Sequence, residues 1–342
     1  METQTNTAAA ERPKRALSLI QPSGVPTLGN YLGALRNWAA MSRDCDCLFG
    51  VADLHSITVR QEPAVLRERT KQIYAILLAL GLDPEKNVIF VQSSVPQHAQ
   101  LAWLLDCYTM YGEAQRMTQF KEKSSKHADN INVGLFSYPT LMAADILLYS
   151  PDYVPVGEDQ RQHLELTRDI ANRVNGIYGN VFKVPEPYIG KTGARIMSLQ
   201  EPEKKMSKSD TNARSFILLD DTKDMIAKKI KSAVTDSEGT VRASDDKPGV
   251  TNLMSIYAAC TGRSFTQIED EFAGRGYGDF KAAVADAVIA ELSPLQDEYK
   301  KLITDKAYLE QQASLGAQKA QALAQRTLTK LMKKIGFWQF KA

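Results

Sequence analysis

Cysteine is scarce in this sequence, and its spacing excludes the usual disulfide and zinc frameworks. The 342 residues contain four cysteines, and none of them stands in a paired C-x-x-C spacing. A disulfide-stapled scaffold and a structural zinc site are therefore not expected. We interpret the four side chains as reduced thiols, which are usual in a cytoplasmic protein.

Long hydrophobic runs and an excess of one charge are missing as well. No apolar run reaches the ~18 residues that a membrane-spanning helix needs. The polar residues 1–15 carry no apolar signal region, and we expect them to form a flexible tail. Lysine and arginine number 42 against 40 aspartates and glutamates, a balance that argues against a polybasic DNA-binding protein. We expect a cytoplasmic globular protein with no membrane or DNA partner.

Short apolar runs alternate with helical patterns in the first part of the chain. Runs at 16–20, 45–52 and 88–91 predict buried strands, and the segments 30–41 and 63–80 predict helices between them. Such alternation predicts an α/β fold with a Rossmann-like parallel sheet. From about residue 222 onward helical spacing dominates, so a helical part is expected to follow the sheet. Within it, Pro294 is expected to kink or restart a helix.

A first phosphate-type signal follows the first predicted strand and reads Gln21-Pro22-Ser23-Gly24-Val25-Pro26-Thr27-Leu28-Gly29-Asn30. Gly29 lets a ligand approach the backbone closely. Thr27 and Asn30 place polar groups at a predicted helix N-terminus, where an anion is favoured. The two glycines have the spacing of a Walker A loop, but Asn30 stands where its lysine should be, so a P-loop is rejected. By itself, the segment is explained equally well as a plain strand-to-helix turn.

A second signal is the run Lys204-Lys205-Met206-Ser207-Lys208-Ser209-Asp210. Lysine carries a point charge on a flexible stem, so lysines flanked by serines suit a mobile loop that grips a polyphosphate. For lysines alone, a solvated charged surface would be the better explanation. The two signals together are far more specific than either one.

Between these signals, one carboxylate stands inside an apolar helical run from Tyr138 to Tyr149. Burying Asp145 without a partner is expensive, so it is expected to have a fixed one. A structural ion pair or a helix cap would satisfy it, and so would the single N–H of an otherwise apolar ligand such as an indole. Further along, the run Gly157-Glu158-Asp159-Gln160 combines close backbone approach with groups suited to ribose hydroxyls and an amino group.

In their order along the chain, these motifs resemble those of class I aminoacyl-tRNA synthetases. Residues 27–30 are similar to the HIGH signature in its tryptophan and tyrosine form, and residues 205–209 match the KMSKS signature. With the segments 53–58, 116–121, 142–149, 157–160 and 193–198, the sequence resembles bacterial tryptophanyl-tRNA synthetases from about residue 16 to its end.

The resemblance implies a set of ligand contacts. Thr27, Asn30, Lys205 and Lys208 would be catalytic, the two lysines gripping the β- and γ-phosphates. Contacts with ATP, which would bring its own Mg²⁺ in the absence of a resident metal, would be Gln21, Pro22, Ser23, Gly29, Asn30, Lys123, Gly157, Glu158, Asp159, Ile196, Lys205, Met206, Ser207, Lys208 and Ser209. Asp145 would accept the indole N–H of tryptophan, and the other contacts with tryptophan would be Tyr138, Met142, Gln160, His55, Val154 and Gln21.

The resemblance also implies an activity and an organisation. The activity would be that of a tryptophan–tRNA ligase, which forms tryptophanyl-adenylate and then charges tRNA(Trp), and the enzyme would be a homodimer. A catalytic domain would span 16–200 with its dimer segment at about 95–130. An anticodon-binding bundle would span 201–305, and a C-terminal helix at 306–342 would pack back on the catalytic domain. Leu17 and Leu19 depart from the family, which often has an aromatic residue and a glycine there, and this departure is expected to bear on pocket shape.

Three other functions stay open at this point. A tyrosyl-tRNA synthetase would share the fold, although Asp145 and the run 157–160 disfavour it. A non-catalytic synthetase-like RNA-binding protein would be expected to have lost Asn30, Lys205 or Lys208. A nucleotidylyltransferase would share the phosphate turn but would not explain the helical part.

Overall fold

Five parallel strands form the centre of the computed structural model, which describes residues 13–118, 131–157, 160–188 and 194–340. The sheet has the order β3-β2-β1-β4-β5. The strands are β1 (Arg15–Ile20), β2 (Asp46–Val51), β3 (Val88–Val91), β4 (Tyr153–Val154) and β5 (Glu186–Pro187). This architecture confirms the predicted Rossmann-like α/β fold, and the first three strands lie where their apolar runs predict them.

The central strands are mostly apolar because both faces of the sheet are covered. Side chains alternate between the faces along a strand. In β1, Ala16 joins one apolar cluster together with Phe49 of β2, whereas Leu17 joins the other cluster together with Leu48. Burial on both faces is typical of parallel sheets and gives continuous hydrophobic runs rather than an alternating pattern.

Helices connect the strands and then continue without further strands in the described part of the chain. Residues Tyr31–Leu35 form a π-helical turn between the first two helices. The helices are α1 (Leu28–Asn30), α2 (Arg36–Met41), α3 (Asp53–Ser56), α4 (Pro63–Ala79), α5 (Gln97–Asp106), α6 (Tyr111–Gln115), α7 (Val133–Leu147), α8 (Arg161–Tyr178), α9 (Lys223–Lys231), α10 (Pro248–Thr261), α11 (Phe265–Glu271), α12 (Tyr277–Thr304) and α13 (Lys306–Ile335). Within the described residues, none of these helices combines the length and apolarity required to cross a bilayer.

Helix α12 runs through Pro294 without ending, so the expected restart at this proline is wrong. A proline inside a helix removes one backbone hydrogen bond and strains the preceding turn. Here the neighbours Leu292 and Leu295 are both buried in the same apolar cluster. Their packing holds the helix on both sides of the proline, so tertiary contacts outweigh the local cost.

The final helix, α13, lies against β3 at one side of the sheet. Gly316 makes the contact, because a Cβ atom at this position would collide with the carbonyl oxygen of Ile89. A residue without a side chain is therefore required where the helix crosses the strand. The aromatic residues after this helix are exposed, Trp338 to 82%.

Candidate functional site

A cavity of about 650 Å³ opens at the carboxyl ends of the central strands. This is the edge at which parallel α/β sheets usually bind their ligands, and the volume is in the range of small-molecule sites. Gln21 and Ser23 line it from the turn after β1, Gly157 from the loop after β4, and Lys205 to Lys208 from the second signal. Folding therefore brings the two distant sequence signals to one cavity.

The first signal builds a capped helix start. The Thr27 hydroxyl accepts a hydrogen bond from the Asn30 backbone N–H at 3.2 Å, and Asn30 Oδ1 accepts one from the Thr27 backbone N–H at 2.9 Å. This reciprocal arrangement is a capping box, which satisfies orphan donors at the helix start. Thr27 is buried and does not line the cavity, whereas Asn30 does.

Backbone hydrogen bonds join the first signal to the segment that follows the second one. Leu28 N–H donates to the carbonyl oxygen of Ile217 at 2.8 Å, and Leu219 N–H donates to that of Pro26 at 3.0 Å. Gly29 lies beneath the second signal, since a Cβ atom there would be 3.5 Å from Met206 Cβ. The relative position of the two signals is thus fixed by main-chain bonds and close packing.

A short antiparallel pairing forms the base of the second signal. Ser198 N–H donates to Lys204 O at 2.8 Å, and Met206 N–H donates to Ile196 O at 3.1 Å. Asn252 of α10 holds the outer side of this pair, because its Oδ1 accepts from Met197 N–H at 2.8 Å and its Nδ2 donates to Met197 O at 2.9 Å. The sequence analysis missed Asn252, which belongs to no local pattern and acts only through a tertiary contact.

Lys208 points back to the turn of the first signal. Its ammonium group donates to the carbonyl oxygen of Gly24 at 2.9 Å. Burial, together with the positive charge of Arg69, lowers the pKa of Lys208 to about 8. Within the described part of the chain, Lys208 has no carboxylate partner.

Asp145 lines the same cavity and is only 3% exposed. Its Oδ1 accepts from Gln92 Nε2 and from His98 Nδ1, both at 2.6 Å, while its Oδ2 lies 2.7 Å from His55 Nε2. Tyr149 Oη lies 2.8 Å from the second ring nitrogen of His98. We call Asp145, His55, Gln92 and His98 the pocket floor.

The electrostatics of the pocket floor keep Asp145 ionised. Burial acts to raise the pKa of Asp145, but the adjacent rings of His55 and His98 outweigh it and hold the pKa below its ordinary value. An ionised carboxylate only accepts hydrogen bonds and offers about four acceptor positions. Three are used by the described residues, so Oδ2, beside the cavity-lining His55, retains room for one more donor.

The predicted tryptophan contacts come together around the floor, since Asp145, Tyr138, Met142, Gln160, His55, Val154 and Gln21 all line the cavity. Among the predicted ATP contacts, those lining the cavity are Gln21, Ser23, Asn30, Gly157, Lys205, Met206, Ser207 and Lys208. Pro22, Gly29, Ile196 and Ser209 do not line it, and Lys123, Glu158 and Asp159 lie outside the described residues. Sequence reasoning missed Gln92 and His98, although Gln92 directly follows a strand that ends at the ligand-binding edge.

The two unusual leucines of β1 both line the cavity, and the fold accommodates the second one with a glycine. Leu19 pairs with Gly50 of β2 in the sheet. A Cβ atom on Gly50 would lie 2.8 Å from Leu19 Cγ and 3.0 Å from the tip of Phe90. The leucine side chain therefore occupies space that the glycine leaves open.

Comparisons with known proteins agree on one family. The model of the class I tRNA synthetases for tryptophan and tyrosine matches residues 9–293. A tryptophan–tRNA ligase from Clostridium tetani is 57% identical over 327 residues, which cover 96% of this chain and 97% of that protein.

Solved structures give the same result for the fold. A tryptophanyl-tRNA synthetase from Mycoplasma pneumoniae superposes with a TM-score of 0.86 at 39% identity, covering 95% of this chain and 98% of that one. The enzyme from Campylobacter jejuni, solved in complex with ADP and tryptophan, superposes with a TM-score of 0.83 at 33% identity, covering 94% of this chain and 100% of that one. The similarity thus extends over nearly the whole of each protein.

Proposed function

This chain belongs to the bacterial tryptophanyl-tRNA synthetases, within the class I family for tryptophan and tyrosine, and we propose that it acts as a tryptophan–tRNA ligase. It activates L-tryptophan with ATP and then charges tRNA(Trp). The observation that carries this assignment is that residues of both signals and an ionised, buried carboxylate line the same cavity.

The first step joins the two small substrates. A carboxylate oxygen of tryptophan attacks the α-phosphorus of ATP, a new P–O bond forms, and the bond to the departing pyrophosphate breaks. The substrate supplies the nucleophile, so the protein contributes positioning and charge stabilisation. ATP brings its Mg²⁺ with it, since this ion binds preferentially to substrate phosphates and water.

The part of the cavity that the two signals form is suited to positioning ATP and stabilising its negative charge. Lys205 and Lys208 line it and supply positive charge to the β- and γ-phosphates. Thr27 and Asn30 fix the start of the helix in the first signal through their capping box, and Asn30 lines the cavity beside the two lysines. Gly157 leaves space for close approach of the nucleotide to the backbone.

The pocket floor matches an indole. The unused acceptor position of Asp145 Oδ2 takes the indole N–H, and Met142 and Val154 provide apolar surface for the ring. Tyr138 and Gln160 line the same cavity, and we assign them to the α-amino group. A tyrosine side chain differs in shape and carries its donor, a phenolic O–H, at the tip of a single ring, so selection rests on ring shape and on the position of the donor.

The second step transfers the amino acid to RNA. A ribose hydroxyl of the 3′-terminal adenosine of tRNA(Trp) attacks the acyl carbonyl and loses its proton, and AMP leaves. We assign the catalytic domain to residues 16–200, anticodon binding to the helices within 201–305, and support of the catalytic domain to the C-terminal helix within 306–342. Association with tRNA that weakens steeply with added salt would support this footprint, because phosphate contacts release counterions.

We further propose a cytoplasmic homodimer that associates through the region 95–130. Large apolar side chains are exposed in and near this region, namely Trp103, Met110, Tyr111, Ile131 and Val133. Exposed clusters of this kind mark interaction surfaces. Sedimentation at micromolar concentration is expected to give a dimer, and substitution Trp103→Glu is expected to shift it to monomer. A monomeric wild type would contradict this assembly.

One assay tests the function. Exchange of labelled pyrophosphate into ATP is measured with each of the twenty amino acids, followed by charging of purified tRNA(Trp). We expect exchange with tryptophan and charging of that tRNA. Exchange with tyrosine instead would assign the alternative specificity, and absence of exchange with every amino acid would indicate a non-catalytic RNA-binding protein.

A further inference from the structure

Arg69 of α4 lies beside the turn of the first signal, although no sequence motif includes it. A Cβ atom placed on Gly24 would be 3.7 Å from Arg69 Nε and 3.8 Å from Lys208 Nζ. Two cationic side chains thus converge on one glycine at the rim of the cavity. We call Gly24, Arg69 and Lys208 the pocket mouth.

Neither cation at the pocket mouth is neutralised. Within the described residues, Arg69 forms no hydrogen bond or ion pair, and Lys208 bonds only to backbone carbonyl oxygens. Elsewhere in the same protein, partly buried arginines are paired, as Arg15 is with Asp46 at 2.7 Å. Like charges that are held close together without a counter-ion repel each other. The pKa of Lys208 is lowered first by burial and then by the positive charge of Arg69.

The fold places Arg69 at the pocket mouth through the packing of α4. Residues three and four positions apart share a helix face, so Arg69 lies above the fully buried Ile73 and is itself half-buried. Arg67 is on the same helix but is exposed to solvent. The chain therefore offers an internal control of the same residue type, which points to nearly the opposite side of the helix.

Gly24 allows the side chains of Arg69 and Lys208 to approach the same turn. Its φ of +105° lies in a region that residues with a side chain rarely adopt. The turn thereby brings its carbonyl oxygen to Lys208 and leaves its α-carbon uncovered toward Arg69. The result is a concave site with two positive groups and no bulk between them.

We propose that Arg69 is a further phosphate-binding residue, which pairs with Lys208 on the pyrophosphate portion of ATP and on the departing pyrophosphate. This role rests on the proposed function, because the anion is that of the adenylate-forming reaction. The guanidinium group has a planar fork of donors that suits phosphate oxygens, whereas Lys208 supplies a mobile point charge. The anion would remove the repulsion that the two cations exert on each other.

The test compares Arg69→Gln, Arg69→Lys and Arg67→Gln with the wild type in tryptophan-dependent pyrophosphate exchange. For Arg69→Gln we expect the KM for ATP and the KM for inorganic pyrophosphate to rise about 10- to 100-fold, the range for hydrogen bonds to charged groups. The KM for tryptophan is expected to stay unchanged. Arg69→Lys keeps the charge without the fork and is expected to be intermediate, and Arg67→Gln is expected to match the wild type.

Two results would overturn the proposal. One is an Arg69→Gln enzyme that matches Arg67→Gln in its response to ATP and pyrophosphate. The other is a defect confined to the KM for tRNA, which would place Arg69 on the RNA instead. Calorimetric binding of inorganic pyrophosphate to the wild type and to Arg69→Gln separates this role from the proposed function, because it requires no exchange activity. Equal binding by the two proteins would contradict the role of Arg69 alone.

Discussion

The pocket floor and the pocket mouth solve the problem of buried charge in opposite ways. At the floor, the negative charge of Asp145 is matched by three donors from the chain itself. At the mouth, Lys208 and Arg69 share a site in which the described residues include no negative partner. The floor has most of its hydrogen-bond partners before a ligand arrives, whereas on our proposal the mouth receives its counter-charge from the ligand.

This difference indicates how the two substrates are handled. A fixed floor defines the position of one N–H donor with little reorganisation, which favours selectivity. The unpaired cations of the pocket mouth favour an anion strongly, and they stand on flexible side chains. These side chains can move with the phosphates as the phosphates separate in the reaction. Their stabilising contribution is therefore expected to be larger in the transition state than in the ground state.

The largest expected effect comes from removing the charge at the mouth. Lys208→Ala is expected to slow adenylate formation by ~10²–10³-fold, comparable with the loss of one oxyanion donor. The rate is measured as tryptophan-dependent pyrophosphate exchange. Lys204→Ala serves as the control, because Lys204 is exposed and pairs with Glu201. Normal exchange by Lys208→Ala would contradict the assignment.

Removing the acceptor at the floor is expected to have a smaller and more selective effect. Asp145→Ala is expected to weaken tryptophan binding by ~1.5–3 kcal/mol, the value of a hydrogen bond to a charged group, with the KM for ATP much less affected. Equilibrium binding of tryptophan measures it. Asp46→Ala is the matched control, because Asp46 pairs with Arg15 away from the cavity. Unchanged tryptophan affinity in Asp145→Ala would make Asp145 a structural residue.

The third test concerns Leu19, which lines the cavity. It uses a substitution at Gly50 that fills the space next to the leucine side chain. Gly50→Ala is expected to lower stability by ~1–3 kcal/mol, as overpacked cores do, and to raise the KM for tryptophan by pushing Leu19 into the cavity. Thermal unfolding and exchange kinetics report the two effects. The double variant Leu19→Ala/Gly50→Ala is expected to recover stability, and Gly176→Ala, which meets open space, is the control. A Gly50→Ala protein with wild-type behaviour would show that this contact is unimportant.

The smallest expected effect is a pH dependence of kcat/KM for ATP that arises from Lys208 at the pocket mouth and not from the pocket floor. The pKa of Lys208 is lowered to about 8, and Arg69 is the charged group that contributes to this shift. As pH rises through about 8, Lys208 loses its proton, so kcat/KM for ATP is expected to fall, to roughly half at the pKa. Lys208→Arg carries a charge that does not titrate, so its activity should lack this alkaline decline. A decline that persists in Lys208→Arg would assign it to another group.

The local features of the fold follow from local patterns. The apolar runs around Leu17, Leu48 and Ile89 define three strands, because a strand that is buried on both faces must be apolar throughout. Pro294 shows the limit of such reasoning, since its propensity to end a helix is overridden by the packing of its neighbours. The short strands β4 and β5 have too few residues to give a recognisable pattern of their own.

By itself, the sequence determined the parallel α/β class, the position of the two signals along the chain and the expectation that Asp145 has a fixed partner, because each depends on residue types at short spacing. Tertiary structure alone decided the partners of those residues. It brought Gln92 and His98 to Asp145, placed Asn252 behind the second signal, and set Arg69 beside Lys208. The physical reason is that electrostatics and hydrogen bonding act over a few ångströms in space, and distance along the chain does not determine which groups come that close.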